Sequence, residues 1–436
     1  MKDRLVKVTR RVLPKKGVHI AEEVYRKGRV KLISARYGNP AKSLKVIGVT
    51  GTNGKTTTVN FINEILKEAG YKTAMFSTAK LELLGKSKIN DLNATVAPTA
   101  DMQRFFRKAK RAKVDYVVME FPSHALVQHK LDTVPVEVAV MTNLTQDHLD
   151  YHGTMEEYAA AKAKLFEKNP AFIVLNRDDE WFEYFDKFDA TAQKITYGKH
   201  DEAEAKIERV KLFKKGTEVS LRIDHQTKLE LATALPGEYN AYNMVAAVSV
   251  AYLLGVDVED IVEGAANLED IPGRFERVEN DKGIDIIVDY AHTPDALEKL
   301  LDTAKELTKN RIILTFGACG DRDKGKRPIM GEIAAEKADR IILTDEESYN
   351  EDPVQIREQI YEGIEKTRGG AMKTTEIGDR REAISKALDV AKRGDIVLIT
   401  GMGHEQYRIV NGKRIPWNDG DVVRELLASD KATASI

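Results

Sequence analysis

The chain has 436 residues, of which 42% are hydrophobic and 31% charged, and its formal net charge is −1. This composition excludes a disordered chain and allows two or three globular domains. The single cysteine, Cys319, excludes an internal disulfide and fits a reducing, cytoplasmic environment. The longest nearly unbroken apolar run, residues 244–256, is too short to span a bilayer and predicts a buried helix.

The N-terminal segment differs in charge from the rest of the chain. Residues 1–45 contain 14 Lys and Arg against 3 Asp and Glu, without the apolar core of a signal peptide. Such a segment predicts attraction to an anion, such as a nucleotide, a phospholipid headgroup or nucleic acid. A solvated helix face would explain the same charges, so both interpretations stay open here.

Strands and helices are predicted to alternate after residue 44, which indicates an α/β protein with a mostly parallel sheet. In the first half, strands are predicted at 45–49, 73–76, 116–119, 136–141 and 172–175, and helices at 57–69 and 102–112. Residues 195–235 change to short alternating segments, which predict small antiparallel strands at 205–213, 218–223 and 228–234. A helix is predicted to begin near Asn240.

A turn at residues 271–274 predicts a domain boundary, because a second alternating series follows it. This series has strands at 284–288, 311–316, 340–344 and 395–400, with helices at 294–307, 328–336 and 353–366. The prediction is a short basic segment at 1–44, a central P-loop domain at 45–271 and a Rossmann-like C-terminal domain at 272–436.

A glycine-rich loop follows the apolar run at 44–49 and reads Gly51-Thr52-Asn53-Gly54-Lys55-Thr56-Thr57. Glycines let backbone N–H groups converge on a phosphate, and the N-terminus of the next helix adds a positive dipole. Lys55 is expected to reach the terminal phosphates and Thr56 to offer a hydroxyl to Mg²⁺. Val49 stands where the generic pattern requires glycine, so this is a shorter form of the loop.

Polar side chains stand at the ends of two other predicted strands. Glu120 ends one strand, and Asn143, Asp147 and His148 follow another. Ligands of open α/β sheets bind at the carboxyl ends of strands, so these residues are expected to face one crevice with the loop. Glu120 and Thr56 would suit a hard dication on a triphosphate. Taken alone, a strand-end glutamate is more typical of a structural ion pair.

The second domain offers further polar residues near a crevice. Asp289 follows the strand at 284–288, and Arg274 and His292 flank it. The charged run at 320–327 is expected either to form a solvated loop or to hold carboxylates and phosphates with its cations. Two α/β domains that share one nucleotide would close on binding.

Several stretches together carry a family resemblance. They are 48–58, 123–129, 142–154, 158–162, Asn240 with Asn243, 272–274, 289–295, 320–328 and 401–405. The chain resembles the Mur ligases, and among them those that add the third amino acid to a UDP-N-acetylmuramoyl dipeptide. The resemblance implies ATP, two Mg²⁺ ions, and an acyl phosphate that the free amine of an amino acid attacks. It also implies a cytoplasmic enzyme, expected as a monomer that binds small molecules and no nucleic acid.

The resemblance also implies roles for individual residues. Lys55, Thr56 and Glu120 would contact the phosphates and the first metal. His148 and a carbamylated Lys162 would ligate the second metal. The carbamate is required because a bare ammonium cannot ligate Mg²⁺. Asn240 and Asn243 would contact the adenine, Arg274 the phosphates and Asp289 the ribose. The remaining expected contacts are Asn143 and His292 for ATP, and Thr95, Ser123, Gln128 and Lys130 for the donor.

Two departures from the family pattern concern the donor. Family members carry a uridine-binding domain before the P-loop, whereas only 47 residues precede Gly48 here. We therefore expect the basic segment to hold the donor's diphosphate or to contact a membrane near a lipid-linked donor. In addition, Pro122 and Lys130 replace a family serine and arginine, and lysine holds an anion as a point charge rather than bidentately.

A third departure concerns the acceptor amino acid. Family members that use meso-diaminopimelate carry an arginine for its second carboxylate, and Tyr349 stands in that place. Glu346 and Glu347 nearby would favour a side-chain ammonium, which predicts a diamine such as L-lysine. Arg327 is expected to grip the α-carboxylate, with Gly401 and Glu405 near the side-chain amine. The alternative is a solvated loop that does not select.

Other functions remain as alternatives at this stage. A related ligase of another carboxylate is possible, as in cyanophycin-type polymer synthesis or with a lipid-linked donor. Folate polyglutamylation is disfavoured by the stretches at 289–295 and 320–328. A non-catalytic nucleotide-binding scaffold would have lost Lys55, Glu120, His148 or Lys162, and all four are present.

Overall fold

The computed structural model describes residues 15–90, 97–410 and 412–434. Its helices are α1 (Lys15–Arg36), α2 (Lys55–Glu68), α3 (Thr99–Ala112), α4 (Ser123–Val127), α5 (Leu149–His152), α6 (Met155–Ala163), α7 (Phe182–Phe185), α8 (Glu238–Leu253), α9 (Val258–Ala266), α10 (Pro294–Leu307), α11 (Lys326–Lys337), α12 (Pro353–Lys366), α13 (Arg380–Val390) and α14 (Asp419–Ala434). Short 3₁₀ turns lie at Pro40–Ser43, Phe166–Lys168 and Ala371–Lys373.

The strands fall into a central sheet, a C-terminal sheet and one hairpin. They are β1 (Lys45–Thr50), β2 (Thr73–Phe76), β3 (Lys80–Leu83), β4 (Lys86–Ile89), β5 (Tyr116–Glu120), β6 (Val138–Met141), β7 (Phe172–Asn176), β8 (Gln193–Gly198), β9 (Ala205–Phe213), β10 (Gly216–Ile223), β11 (Thr227–Thr233), β12 (Glu276–Val278), β13 (Asp285–Asp289), β14 (Ile312–Phe316), β15 (Arg340–Leu343), β16 (Thr374–Glu376), β17 (Ile396–Thr400), β18 (Tyr407–Val410) and β19 (Lys413–Pro416).

The central sheet has eleven strands in the order β11-β10-β9-β8-β7-β6-β1-β5-β2-β3-β4. Its middle is parallel from β2 to β9, and antiparallel hairpins extend both edges. Strand β1 is buried on both faces through Val46, Ile47 and Val49, as expected for a central parallel strand. The predicted mostly parallel sheet is confirmed, and the strands at 205–233 continue this sheet.

Helices α2, α8 and α9 pack together on one face of the central sheet. Helix α8 is apolar on most of its surface and almost entirely buried, which places it between the sheet and its neighbours. Helices α2 and α9 cross closely at Gly264, where a Cβ atom would lie 2.5 Å from the Cα of Ile65. This crossing fixes α2, and therefore the loop before it, against the core.

The C-terminal sheet has the order β12-β13-β17-β14-β15-β16 and is parallel except for β12. The predicted boundary at residues 271–274 falls between the two sheets. The hairpin β18–β19 lies beside the loop after β15, since Tyr349 pairs with Val410 as an isolated bridge. No helix in the described ranges is both long and apolar enough to cross a membrane.

Candidate active site

A cleft of about 1430 Å³ lies between the carboxyl edges of the two sheets. Its walls include the ends of β1, β5 and β6 on one side and the segments after β13 and β14 on the other. Sites for one small ligand rarely exceed about 1,000 Å³. The cleft therefore has room for a nucleotide together with further substrates.

The glycine-rich loop is held from two sides by asparagine side chains. Asn143 accepts the backbone N–H of Asn53 at 2.9 Å and donates to its carbonyl at 3.1 Å. Gly54 has φ 84° as the cap of α2, and a Cβ atom there would collide with the side chain of Asn243. The loop therefore needs glycine at this position both for its backbone conformation and for the close approach of Asn243.

Lys55 lies inside this loop and donates to two of its carbonyls. Its Nζ is 2.9 Å from the oxygen of Gly51 and 2.8 Å from that of Thr52. Burial lowers the pKa of Lys55, and the Arg274 guanidinium lowers it further. A partly buried ammonium with carbonyls as partners is suited to exchange them for the terminal phosphates of a nucleotide.

Hydroxyl groups gather around one oxygen of Glu120. Its Oε1 accepts from Thr56 Oγ1 at 2.9 Å, from Thr78 Oγ1 at 2.8 Å and from Thr78 N at 2.7 Å. Arg274 donates to Thr56 Oγ1 at 3.2 Å. Thr78 was missed in the sequence, although it follows the carboxyl end of β2.

This donor set fits a hard dication that is also held by phosphate. A carboxylate and two hydroxyls match the oxygen ligands of Mg²⁺. Within the described ranges there is no cluster of three or more His, Cys, Asp and Glu side chains suited to hold a metal. Phosphate oxygens would therefore complete the coordination.

Lys162 is almost fully buried behind the same loop. Its Nζ donates to the Gly51 oxygen at 2.6 Å and lies 4.3 Å from the centre of the Tyr158 ring. Burial, and then the charge of Lys55, lower the pKa of Lys162 well below its ordinary value. A neutral amine is the form that reacts with carbon dioxide, so this environment favours carbamylation.

His148 also contacts Tyr158 edge-on, with 6.2 Å between the two ring centres. Burial lowers the pKa of His148 well below its ordinary value, so its imidazole is neutral. A neutral imidazole has a free lone pair and is able to ligate a metal. His148 and Lys162 thus both pack against Tyr158, and their role in a second metal site stays a prediction.

Asp147 links the two sheets across the cleft. It pairs with Lys326 of α11 at 3.2 Å and lies 3.3 Å from His148 and 3.9 Å from His292. Burial raises the pKa of Asp147, but the Lys326 ammonium outweighs this effect and leaves it below the ordinary range. Asp147 is therefore ionised, and the pair with Lys326 is a buried contact between the two domains.

The predicted nucleotide contacts on the C-terminal side also line the cleft. Asp289 accepts the N–H groups of Phe275 and Ala291, both at 2.7 Å, and burial raises its pKa. His292 donates from Nδ1 to the Tyr290 carbonyl at 2.7 Å, which leaves Nε2 as an acceptor. Asp289 thus also shapes the loop that presents His292.

One part of the cleft wall carries two carboxylates, and we call it the acceptor end. It is formed by Tyr290, Arg322, Glu347, Tyr349 and Glu405. Glu347 accepts from the Tyr349 hydroxyl at 2.7 Å, and Glu405 accepts from the Tyr290 hydroxyl at 3.2 Å. Burial, and then the charge of Glu347, raise the pKa of Glu405 to about 7. The guanidinium of Arg322 lies 5.1 Å from the centre of the Tyr349 ring.

Two predicted acceptor residues lie behind this surface. Arg327 is fully buried and donates to Glu351 at 2.9 and 3.2 Å and to Gln359 at 2.7 Å. Glu346 is buried beneath Gly401, where a Cβ atom would collide with its carboxylate. Neither Arg327 nor Glu346 lines the cleft. Arg322 does line the cleft; the sequence pattern offered the cations of its charged run for carboxylates without singling out this residue.

The predicted donor residues are dispersed. Ser123 lines the cleft and bonds His152 Nε2 at 2.9 Å. Lys130 donates to the Ala97 carbonyl at 3.1 Å, and neither it nor Gln128 belongs to the cleft wall. Thr95 lies outside the described residues. These donor assignments stay predictions.

Comparison with known proteins bears directly on this site. Residues 49–251 match the Mur ligase middle domain, and residues 273–403 match the glutamate ligase domain of the same family. The UDP-N-acetylmuramoyl-L-alanyl-D-glutamate–2,6-diaminopimelate ligase of Aquifex aeolicus is 41% identical over 427 residues, which cover 98% of this chain and 86% of that protein. The enzyme of the same name from Clostridium botulinum is 39% identical over 404 residues, covering 92% and 82%.

Solved structures agree with the sequence comparison. A structure of a ligase with that name is similar with a TM-score of 0.63 at 32% identity, covering 94% of this chain and 83% of that one. Mycobacterium tuberculosis folylpolyglutamate synthase complexed with ADP has a TM-score of 0.71 at 20% identity, covering 86% and 91%. Because its sequence identity is only 20%, the similarity to folylpolyglutamate synthase shows a shared fold and nothing more.

The fold and the cleft define an ATP-dependent ligase with a P-loop domain and a second α/β domain. The chain belongs to the Mur ligase family, whose members are amide ligases that use ATP and Mg²⁺. The resemblance found in the sequence is therefore confirmed.

Proposed function

We propose that this ligase joins a diamine amino acid, such as L-lysine, to the free carboxylate of a UDP-N-acetylmuramoyl-dipeptide-like donor in peptidoglycan precursor synthesis. The reaction would pass through an acyl phosphate and release ADP and phosphate. The observation that carries this proposal is a cleft whose wall includes the Lys55 loop and Glu120 as well as the carboxylates of Glu347 and Glu405. The relatives named above are ligases of a UDP-linked dipeptide, which supports the donor.

At the nucleotide end, the chain's task is to position phosphates and balance their charge. Lys55 and Arg274 would bind the β- and γ-phosphates, and Thr56, Thr78 and Glu120 would hold the first Mg²⁺. When bound, the ion would neutralise charge that develops during phosphoryl transfer. The donor carboxylate attacks the γ-phosphorus, and the acceptor amine then displaces phosphate from the acyl carbon, so no protein nucleophile is needed.

Lys162 would act as its carbamate, formed when the neutral amine adds carbon dioxide and releases a proton. Its buried position with a lowered pKa supports this modification, and the two added oxygens fit Mg²⁺. The carbamate and His148 would hold the second ion. The added negative charge would also offset the positive charge of nearby Lys55.

The acceptor end carries two carboxylates and one arginine among the described residues that line it. A diamine amino acid brings two amines and one carboxylate, so its charges match this surface. Glu347 and Glu405 would hold the side-chain ammonium, and Arg322 would hold the α-carboxylate. Diaminopimelate, for which the relatives are named, has a second carboxylate that would face Glu347 or the Tyr349 hydroxyl.

Phosphate release with one UDP-linked dipeptide donor and each amino acid in turn tests the acceptor. We expect turnover with L-lysine to exceed that with meso-diaminopimelate. Glu347→Gln should raise the lysine KM about tenfold, in line with the loss of one charge-assisted contact, and leave the ATP KM unchanged. Glu358→Gln, an exposed change on α12, is the matched control.

The results of these assays test the choice of acceptor and the choice of donor independently. Faster turnover with meso-diaminopimelate overturns the diamine preference but leaves the ligase reaction in place. Turnover only with another carboxylate donor, as in cyanophycin-type synthesis or with a lipid-linked donor, would replace the proposed donor.

Replacing Lys162 with alanine tests the carbamate. Turnover should fall by about a thousandfold or more, as expected when metal charge stabilisation is lost. Short carboxylic acids should restore part of the activity of Lys162→Ala, because they supply the missing oxygens. Lys164→Ala, two residues along the chain, should behave as the unmodified protein. Full activity of Lys162→Ala would contradict the assignment.

We also propose a monomeric chain in the cytoplasm, with small-molecule partners and no nucleic acid. A peripheral membrane contact through the basic residues 1–45 belongs to the same proposal. The charge of that segment supports it.

A further inference from the structure

Helices α1 and α3 pack side by side at the surface of the central domain. Val30 and Ser34 of α1 are buried, and Ser34 Oγ donates to Gln103 Oε1 of α3 at 3.3 Å. Neither helix contributes a residue to the wall of the cleft. The two helices therefore form a surface that is separate from the active site.

This surface is strongly basic. The two helices with Lys113 carry thirteen Lys and Arg against three Asp and Glu, whereas the whole chain has a net charge of −1. We call the exposed cations the basic platform, and they are Lys27, Arg29, Lys31, Arg36, Arg104, Arg107, Lys108, Lys110, Arg111 and Lys113. Within the described part of the chain only Lys27 and Arg104 of these make an ion pair. Most of this charge is therefore available to an external anion.

Large apolar side chains stand among these cations on α1. Val24 is 65% exposed, Tyr25 51% and Leu32 73%. Their spacing of seven and eight residues places them along one side of the helix, with Gly28 between them. A Cβ atom on Gly28 would meet nothing within 4 Å, so no residue of the described ranges covers this side of the helix at that point.

The apolar and basic residues are interleaved on the same side of α1. Arg29 lies one turn from both Tyr25 and Leu32, and Lys31 lies one turn from Lys27 and two turns from Val24. A helix with exposed apolar residues flanked by Lys and Arg is typical of helices that lie in a membrane interface. The added cations of α3 enlarge the charge that would face anionic headgroups.

We propose, as a development of the peripheral membrane contact in the proposed function and resting on it, that the basic platform docks the enzyme on an anionic phospholipid surface. Val24, Tyr25 and Leu32 would enter the headgroup region, while the cations of α1 and α3 would lie against lipid phosphates. Nucleic acid would also attract the charge, but it offers no apolar phase for Val24 and Leu32. Because no platform residue lines the cleft, docking would leave the cleft open to substrates.

Co-sedimentation of the full chain with phospholipid vesicles tests the proposal. Vesicles of phosphatidylcholine mixed with phosphatidylglycerol should bind the protein about tenfold more than phosphatidylcholine alone, and high salt should weaken the binding. The double change Arg107→Glu and Arg111→Glu should abolish most of the binding. Lys366→Glu with Arg368→Glu, exposed on α12 and just after it, makes the same charge change and should have no effect.

A second variant tests the apolar part. Val24→Ser with Leu32→Ser keeps every charge and should lower vesicle binding severalfold. Phosphate release and thermal unfolding of all variants should stay unchanged, which excludes misfolding. Equal binding to neutral vesicles, no loss in Arg107→Glu with Arg111→Glu, or tighter binding to duplex DNA than to vesicles would each overturn the proposal.

Discussion

At the scale of single residues, Glu405 links the acceptor end to pH. Its pKa of about 7 means that it is largely neutral at pH 6 and largely ionised at pH 8. Only the ionised form attracts an acceptor ammonium, so we expect the lysine KM to fall severalfold as pH rises across this range. Glu405→Gln should remove that dependence, which a pH series of initial rates would measure.

The raised pKa of Glu405 also predicts how folding stability depends on pH. Rising pH should improve acceptor binding but lower the stability of the fold. Glu405 has a higher pKa in the folded protein than its ordinary value near 4.5, so the folded state holds the proton more tightly. Stability should therefore fall as pH rises from about 4.5 through about 7. Glu405→Gln should raise the Tm at pH 8 and change it little at pH 4. If the lysine KM of the unmodified protein did not vary with pH, the assignment of Glu405 to the acceptor would be contradicted.

Two arginines of the charged run show where reasoning from sequence ends at this scale. Arg322 and Arg327 are five residues apart, and either one is chemically able to hold a carboxylate. The first turn of α11 directs Arg327 inward to Glu351, while the loop before it brings Arg322 to the cleft. Their different surroundings follow from where α11 begins, because Arg327 lies in its first turn and Arg322 lies before it. By contrast, Lys55, Thr56 and Glu120 were predictable, because strand ends of parallel sheets meet at one edge.

At the scale of elements, the crossing of α2 and α9 depends on Gly264. An added methyl group would lie 2.5 Å from the Cα of Ile65, and backbone cannot yield as a side chain would. We expect Gly264→Ala to destabilise the protein by about 1–3 kcal/mol, the typical cost of overpacking. It should also raise the ATP KM, because α2 carries Lys55 and Thr56. Urea unfolding and nucleotide titration measure these two effects.

Gly28→Ala is the matched control for this change. Gly28 lies within α1, and its Cβ would meet nothing. Alanine there should stabilise the helix by about 0.5–1 kcal/mol through the lower entropy of the unfolded chain. If the two variants shifted the unfolding midpoint in the same direction, the close crossing would not be the cause.

Elements with strong periodicity were predictable, and edge elements were not. The buried strands at 45–49 and 116–119 and the helix at 294–307 were expected and are present. Hairpin β3–β4 was missed because β4 is exposed along its length and has no apolar alternation. The pairing of β8 with β9, which joins two groups of strands into one sheet, depends on distant contacts that no local pattern encodes.

At the scale of the whole molecule, two ion pairs between the domains differ in burial. Lys326 and Asp147 are both buried, whereas Lys214 is 62% exposed where it pairs with Asp285 at 2.9 Å. Removing one partner of a buried pair costs about 3–5 kcal/mol, whereas an exposed pair contributes about 0–1 kcal/mol. We expect Lys326→Met to lower both Tm and turnover strongly, and Lys214→Ala to change neither.

Limited proteolysis gives a second measurement of the same contacts. Lys326→Met should speed cleavage in the segment between α9 and β12, because the two domains separate more often. If Lys214→Ala had the larger effect, the buried pair would not hold the domains together.

The tip of the phosphate loop also contacts the other domain. Asn53 Nδ2 donates to Asp295 at 2.8 Å and to Thr293 at 3.2 Å, and Thr293 is the residue that caps α10. A ligand that reshapes the loop must therefore disturb the cap of a helix in the second domain. By reciprocity, whatever stabilises the contact between the domains also strengthens nucleotide binding at the loop. A change that weakens the contact between the domains should therefore also weaken the binding of spent nucleotide.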